Sequence, residues 1–287
     1  MQQLTRPPSP GLRPYVRLLW AWAPESALAE RPGTREHVLP TGGMHLVFRL
    51  SGPPLKLFSG TEDAQGQTFG HAIVGGTRAA FYLRDISVAT RSVGAQLQPG
   101  AARLLLDAPE GALAGQHTPL DALWGTGQAN AALEQLHAAN SPESQLRVFE
   151  ALLATRIAVS LRAGLHGLHP AVASALGTLD RDSPSIAALV ARSGYSHRRF
   201  IALFHADTGL APKEYARVRR FDRVLTLAGD PRLGWADIAL AAGYSDQAHL
   251  SRDFSALAGM PAQAWRQKGS PSPRHVPAAA GQIRSRR

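Results

Sequence analysis

The pattern of apolar and polar residues changes character once along the chain, between residues 100 and 170. In the first hundred residues, short apolar or alternating runs such as "HLVFRL", "AFYLRDISVAT" and "VGAQLQ" are separated by Gly/Pro clusters. Runs of this length and alternation predict β-strands, and their number predicts a small barrel or sandwich. Two longer helical patterns follow over residues 127–139 and 141–163, and Pro142 occupies the first position of the second.

From Pro170 onward every apolar pattern has helical spacing. Phe200 and Phe204 lie four residues apart, and Pro212 begins a longer helix with an apolar inner face. The pattern therefore predicts an α+β protein of two domains, separated by the Gly/His stretch from Gly164 to Pro170. The predicted regions are a β-rich, barrel- or sandwich-like domain with trailing helices over residues 1–163, an all-helical domain over 170–266, and a basic disordered tail over 267–287.

One short motif occurs twice in the helical half. "RSGYSHRRFIALF" begins at Arg192 and "AAGYSDQAHLSRDF" at Ala241, which places Gly194 and Gly243 49 residues apart. In each copy we expect the glycine to end one helix in the left-handed conformation and a serine to cap the next. Two helices joined in this way form a helix-turn-helix, whose second helix can enter the DNA major groove. The repeat predicts two DNA-reading units in one chain.

The register of the two copies follows from aligning Phe200 with Leu250 and Phe204 with Phe254. Arginine suits guanine, glutamine suits adenine, and small apolar side chains meet the thymine methyl group. The residues predicted to read bases are His197, Arg198, Ile201 and Ala202 in the first copy and Gln247, Ala248, His249 and Arg252 in the second. Those predicted to contact phosphates are Ser196, Ser245 and Arg220.

The segment between the copies sets their spacing. A helix from Pro212 to Leu227 is about 24 Å long at 1.5 Å per residue. With the widths of the two units added, the recognition helices would reach major grooves one turn, about 34 Å, apart on one face of the DNA.

Residues 171–265 resemble the tandem helix-turn-helix domain of AraC/XylS-type transcription regulators. The likeness lies in "SIAALVARSGYS", "TGLAPKEY", "WADIALAAGYSDQAHLSRDF" and "AGMPAQAW". It implies sequence-specific DNA binding and control of transcription, with a domain in front for effector sensing or dimerisation. The segments "LPTGGMHLVFRL", "SVGAQLQPGAARLLL" and "HTPLDALWG" are similar to a sensor-like domain that precedes this module in many bacterial regulators.

The first copy departs from the family pattern. Ile201 and Ala202 stand where many members carry polar residues. Base reading by this copy is therefore expected to rest on Arg198 and apolar contacts, or to be weak. Gln247 and Arg252 in the second copy carry the expected specificity.

Composition agrees with a polyanion partner. The net charge is +10, and residues 165–287 hold 17 Lys and Arg against 9 Asp and Glu. The chain has no cysteine, which excludes disulfides and thiolate metal sites. It has no run of about 18 apolar residues, so we expect no membrane span, and prolines interrupt its N-terminal segment where a signal peptide would be apolar. We expect a cytoplasmic protein.

Other functions remain as alternatives. A small-molecule enzyme or ligand-binding protein with a helical interaction module is the second hypothesis, although no phosphate loop, nucleophile elbow or paired carboxylates appear. No metal site or cofactor is predicted. Trp20, Trp22, Phe48 and Phe58 are candidates for an effector pocket, with plain core as the alternative. The expected partners are double-stranded DNA, a small-molecule effector, a second copy in a homodimer, and RNA polymerase if the protein activates transcription.

Overall fold

A computed structural model describes residues 2–23, 33–181, 184–269 and 272–278. Most of the basic tail predicted from the sequence, including Arg284 and Arg286, lies outside these ranges. Within them, no helix is long and apolar enough to cross a membrane.

Among the described residues, eleven strands form two antiparallel sheets. They are β1 (Gln2–Arg6), β2 (Val16–Ala23), β3 (Arg35–Val38), β4 (His45–Arg49), β5 (Lys56–Phe58), β6 (Gln67–Thr68), β7 (Ala72–Gly75), β8 (Tyr82–Asp85), β9 (Ser92–Leu97), β10 (His117–Pro119) and β11 (His275–Pro277). The first sheet has the order β1-β2-β9-β4-β7-β10 and the second the order β11-β3-β8-β5-β6. In the described ranges neither sheet closes on itself. The prediction of a β-rich N-terminal domain is confirmed. Of the two predicted forms, the described strands make an open two-sheet arrangement and not a closed barrel.

Five helices lie between residues 102 and 162. They are α1 (Ala102–Leu106), α2 (Glu110–Leu113), α3 (Asp121–Trp124), α4 (Thr126–Ala138) and α5 (Pro142–Arg162). The longest, α5, packs on β2 and β9 of the first sheet. Helix α5 begins as predicted, with Pro142 in its first turn and the Ser141 hydroxyl accepting a hydrogen bond from the Ser144 amide. Its Phe149 packs edge-on against Phe48 of β4, with ring centroids 5.6 Å apart. This contact joins the helices and the sheet in one apolar core.

The C-terminal half is helical up to Lys268. Its helices are α6 (Pro170–Arg181), α7 (Ile186–Ser193), α8 (His197–Thr208), α9 (Pro212–Leu227), α10 (Trp235–Ala242), α11 (Gln247–Ala258) and α12 (Ala262–Lys268). The centre of its core consists of four buried phenylalanines, Phe200, Phe204, Phe221 and Phe254. The predicted all-helical module and the bounds of its connecting helix, α9, are confirmed.

The C-terminal segment differs from the prediction of a disordered tail. Residues 275–277 form β11, which pairs with β3, and Val276 is fully buried in the core of the helical half. The Arg274 side chain donates to the carbonyl of Pro40 and forms an ion pair with Asp222 on α9. The tail prediction is therefore wrong for these residues. These residues connect the second sheet to the connecting helix. Val276 is buried in the apolar core of the helical half, and the positive charge of Arg274 pairs with Asp222 on α9.

Candidate nucleic-acid interface

The first helix-turn-helix consists of α7 and α8. Gly194 ends α7 with φ of +73°, a left-handed conformation that favours glycine, and Ser196 caps α8 by accepting from the Arg199 amide at 3.4 Å. Helix α7 itself is capped by Ser185, which accepts from the Ala188 amide at 3.1 Å.

The second helix-turn-helix consists of α10 and α11, and its turn is one residue longer. Gly243 ends α10 with φ of +89°. The cap of α11 is Asp246, whose Oδ1 accepts from the His249 amide at 2.7 Å, while Ser245 lies one residue upstream and donates to Asp246 Oδ2. The structural counterpart of Ser196 is thus Asp246. The expected serine cap at this end is wrong, and a carboxylate occupies the position.

Counted from their caps, the two recognition helices align position by position without a gap. Both α8 and α11 have 12 residues, and each position in α8 corresponds to the position 50 later in α11. Arg198 therefore corresponds to Ala248, and Ala202 to Arg252. Each helix offers one arginine on this face, but the two arginines lie four residues, or about one helical turn, apart in their helices. The two faces thus have different chemistry.

The predicted base-reading residues lie on the outer surface of both helices. His197, Arg198 and Ala202 are exposed in α8, as are Gln247, Ala248 and Arg252 in α11. The remaining two are partly buried. Ile201 packs against the helical core, and the His249 ring lies edge-on to Tyr244 at 5.0 Å with Nδ1 3.1 Å from the Ser245 hydroxyl. Their contact with bases stays a prediction.

The connecting helix α9 is fixed to the second recognition helix by a polar cluster. Arg217 Nε lies 2.5 Å from Asp253 Oδ1, and Asp253 Oδ2 accepts from the Tyr244 hydroxyl at 3.2 Å. The Arg220 guanidinium lies 5.4 Å from the centre of the Tyr244 ring. Contact between Arg220 and a phosphate stays a prediction. This stacking gives the same side chain a packing role.

Electrostatics distinguish the two helix N-termini. Hydrogen bonding from the His249 amide and then from Ser245 lowers the pKa of Asp246, so the cap of α11 is an anion at neutral pH. Ser196, at the same place on α8, is a neutral hydroxyl that is able to donate to a phosphate. The N-terminus of a helix attracts anions, but a capping carboxylate partly cancels that attraction.

The C-terminal ends of both recognition helices contact one segment of the N-terminal half, residues 77–81. Gly209, after α8, lies against the Thr77 side chain, and Gly259, after α11, lies so close to the Phe81 ring that a Cβ would collide with it. The Ala258 carbonyl also lies 3.0 Å from Nδ1 of His37, whose ring stacks on Phe81. Segment 77–81 therefore fixes both helices from one side.

The four aromatic residues proposed as an effector pocket do not lie together. Phe48 is buried in the core beneath α5, and Trp20 contacts His45 on the opposite face of the same sheet. Phe58 belongs to the second sheet, with the Arg35 guanidinium 3.5 Å above its ring. Trp22 is half-buried near the end of β2. Phe48 and Trp20 are separated because they face opposite sides of the first sheet, and Phe58 is separated from both because it lies in the second sheet.

Comparisons with known proteins agree with this geometry. Residues 189–268 match the helix-turn-helix domain family HTH_18, which is of the AraC type, and residues 4–119 match a domain of unknown function, DUF6597. No curated protein sequence matches the chain.

Among solved structures, the chain is similar to apo ToxT from Vibrio cholerae. The two sequences are 10% identical, the TM-score is 0.48, and the alignment covers 91% of this chain and 99% of ToxT. ToxT with a bound unsaturated fatty acid gives 10% identity and a TM-score of 0.45 over 81% and 90% of the two chains. The transcriptional regulator CdpR from Pseudomonas aeruginosa gives 22% identity and a TM-score of 0.30 over 62% and 46%.

The two turns, the two exposed helices and the connecting helix define a tandem helix-turn-helix module for DNA binding. The match over residues 189–268 assigns that module to a family. The chain has an AraC-type helix-turn-helix domain behind an N-terminal domain, and it is a DNA-binding transcription regulator.

Proposed function

We propose that the protein binds specific DNA sequences by placing α8 and α11 in two neighbouring major grooves. The observation that carries this proposal is the exposure of matched faces on two helices whose other sides are fixed in one core. Phe204 of α8, Phe221 of α9 and Phe254 of α11 all belong to that core. A rigid core presents the two faces at one spacing, and one DNA site has to satisfy both.

We propose that α11 supplies most of the sequence preference. Gln247 and Arg252 are exposed and carry the side chains that suit adenine and guanine. On α8 only Arg198 and His197 offer polar groups at predicted reading positions, and Ile201 is partly buried. The first unit is therefore proposed to contribute backbone contacts and weaker base reading.

Selection of bound fragments from random DNA, followed by gel shifts over a range of salt, tests this function. The proposal expects one enriched sequence pattern with two conserved blocks and a steep linear fall of log affinity with log salt concentration. Binding that falls with salt but selects no sequence would leave a nonspecific DNA-binding protein. No binding to any DNA would favour the second hypothesis, an enzyme or ligand-binding protein with a helical interaction module.

We propose further that the N-terminal half modulates DNA binding in response to an effector, and that residues 164–170 separate the sensing part from the DNA-binding part. Contacts between the halves support the first statement. Leu39 of the N-terminal half lies in the helical core, and segment 77–81 contacts the end of each recognition helix. A homodimer, contact with RNA polymerase and a cytoplasmic location stay predictions.

A further inference from the structure

The N-terminal half caps the last turn of each recognition helix. The carbonyl groups at the end of an α-helix have no partner within the helix and need donors from elsewhere. On α8, the Asp207 carbonyl accepts from the Gly100 amide at 2.8 Å. On α11, the Ala258 carbonyl lies 3.0 Å from Nδ1 of His37. Burial lowers the pKa of His37, so the ring is neutral at pH 7 and donates to this carbonyl from Nδ1.

Close packing accompanies both caps. Helix α2 packs on α8 so closely that a Cβ on Gly111 would stand 2.6 Å from Nδ1 of His205 and 2.9 Å from its carbonyl oxygen. A Cβ on Gly259, the residue after α11, would stand 2.3 Å from the Phe81 ring. Protein interiors are dense and transmit such displacements to their neighbours. A change on either side of these contacts therefore moves the end of a recognition helix.

The two contacts come from one connected part of the N-terminal half. Thr77 lies against Gly209 and Phe81 against Gly259, and these glycines follow α8 and α11 at matching positions. The Gly115 amide, two residues after α2, donates to the Thr77 carbonyl at 2.9 Å. Residues 77–81 and α2 together are called the brace below. The brace is a second link between the two units, in addition to the connecting helix α9.

We propose that the brace fixes the distance and the rotation between α8 and α11, and that it thereby determines which separation of the two DNA blocks the protein accepts. The inference rests on the proposed function, because the separation matters only if both helices read DNA. A single link through α9 leaves the ends of the recognition helices free to turn, and the second link removes that freedom. Phe81 and Gly111 are therefore positioning residues, which act on DNA selection through α11 and α8.

Gel shifts with the selected site, and with sites whose blocks stand one base pair nearer or farther, test the assignment. One base pair turns a block by about 35° around the duplex. The native chain is expected to lose about tenfold in affinity at each altered separation, the cost of about one mismatched base pair. Gly111→Ala keeps the helical backbone of α2 and displaces α8. It is expected to reduce this discrimination to about threefold, or to favour another separation, while affinity for one isolated block stays native.

Phe81→Leu tests the α11 side, because it removes the ring beside Gly259 and keeps an apolar residue. Gly127→Ala and Phe69→Leu are the matched controls. Gly127 is exposed in α4 with nothing within 4 Å of an added Cβ, and Phe69 packs in a separate apolar cluster with Leu55. Native discrimination in both Gly111→Ala and Phe81→Leu would overturn the proposal. Equal losses at every site, including the isolated block, would also overturn it, because they would indicate a general loss of folded protein.

Spin labels measure the geometry of the helices without DNA. The chain has no cysteine, so Arg199→Cys and Ser251→Cys, at exposed positions of α8 and α11, place one label on each recognition helix. Pulsed EPR is expected to give a narrow distance distribution in the native background and a broader or displaced one with Gly111→Ala or Phe81→Leu. Unchanged distributions would overturn the positioning role. A chain with this dependence that binds no DNA would contradict the proposed function and leave the hold of the brace on both helices standing.

Discussion

Arg217 on the connecting helix and Asp253 on the second recognition helix form an ion pair of 2.5 Å between Nε and Oδ1. Asp253 is 13% exposed and also accepts from the Tyr244 hydroxyl in the turn. One carboxylate thus connects the helix that separates the units, the turn of the second unit and its recognition helix. This arrangement makes the second unit a rigid extension of α9.

Arg217→Met is expected to lower the free energy of unfolding by about 1 kcal/mol, because it leaves the largely buried Asp253 carboxylate without its cation. Lys213→Met is the matched control, since Lys213 is exposed on the same helix and carries the same charge. Urea denaturation measures both variants. Equal stabilities would show that the ion pair contributes nothing to the fold.

Asp246→Asn is expected to raise affinity for DNA about fivefold at low salt. The amide oxygen keeps the cap on the His249 amide, while the negative charge near the phosphates disappears, and with it the repulsion between the two anions. Ser196→Asp, the reciprocal change at the matching position of α8, is expected to lower affinity by a similar factor. Gel shifts measure both. If Asp246→Asn binds no more tightly, the N-terminus of α11 lies away from the phosphates.

Arg252→Ala is expected to cost about 1–3 kcal/mol at the selected site and to relax preference at one base pair. Arg232→Ala provides a control for charge, because Arg232 lies in the loop after α9, 87% exposed and paired with Asp230. Binding assays on a set of single-base variants of the site make the distinction. A uniform loss across all sequences would make Arg252 a phosphate contact.

His117 is expected to make stability depend on pH. Burial, and then the charge of Arg78, lowers the pKa of His117 to about 3, and Arg78 donates to its Nδ1 at 2.9 Å. The unfolded chain takes up a proton near pH 6.5 and the folded chain only near pH 3, so this stabilising contribution is complete above pH 6.5 and falls as the pH drops towards 3.

The loss from this one histidine approaches about 1.4 kcal/mol per pH unit at most. His117→Gln is expected to flatten the fall in stability between pH 6.5 and 4, measured by urea denaturation at each pH. His137→Gln, at an exposed position of α4, is the control and is expected to keep the native slope. A slope unchanged in His117→Gln would mean that the ring is protonated in the folded protein.

Local signals in the sequence predicted the DNA-binding half well. Pro212 fixes the start of α9, and the glycines Gly194 and Gly243 end the helices where the pattern expected them, because these residues act through backbone geometry within a few positions. The predicted serine cap of α11 was wrong because it followed the Gly-Tyr-Ser motifs, which lie 49 residues apart, whereas the two recognition helices align 50 residues apart. The spacing of Asp246 from its capped amide at His249 carried the correct signal.

Features that depend on contacts between residues far apart in the chain could not be predicted from the sequence. The strand at residues 275–277 is short and finds its partner, β3, more than 230 residues earlier in the chain. Phe48 was a candidate for a pocket, but which face of β4 meets α5 is decided by packing, and Phe48 lies on that face. A cavity whose wall includes Arg17 of β2 and Tyr215 of α9 joins segments from both halves, and no local motif marks it.

The two-unit reading of DNA is tested most directly by changing the distance between the two blocks of the selected site. Insertion of five base pairs turns one block to the opposite face of the duplex, since a full turn takes about 10 base pairs. Binding is expected to fall towards the nonspecific level in gel shifts, while footprinting retains one weakly protected block, the one read by Gln247 and Arg252. Affinity equal to that of the original site would contradict the account, because it would show that only one recognition helix engages DNA.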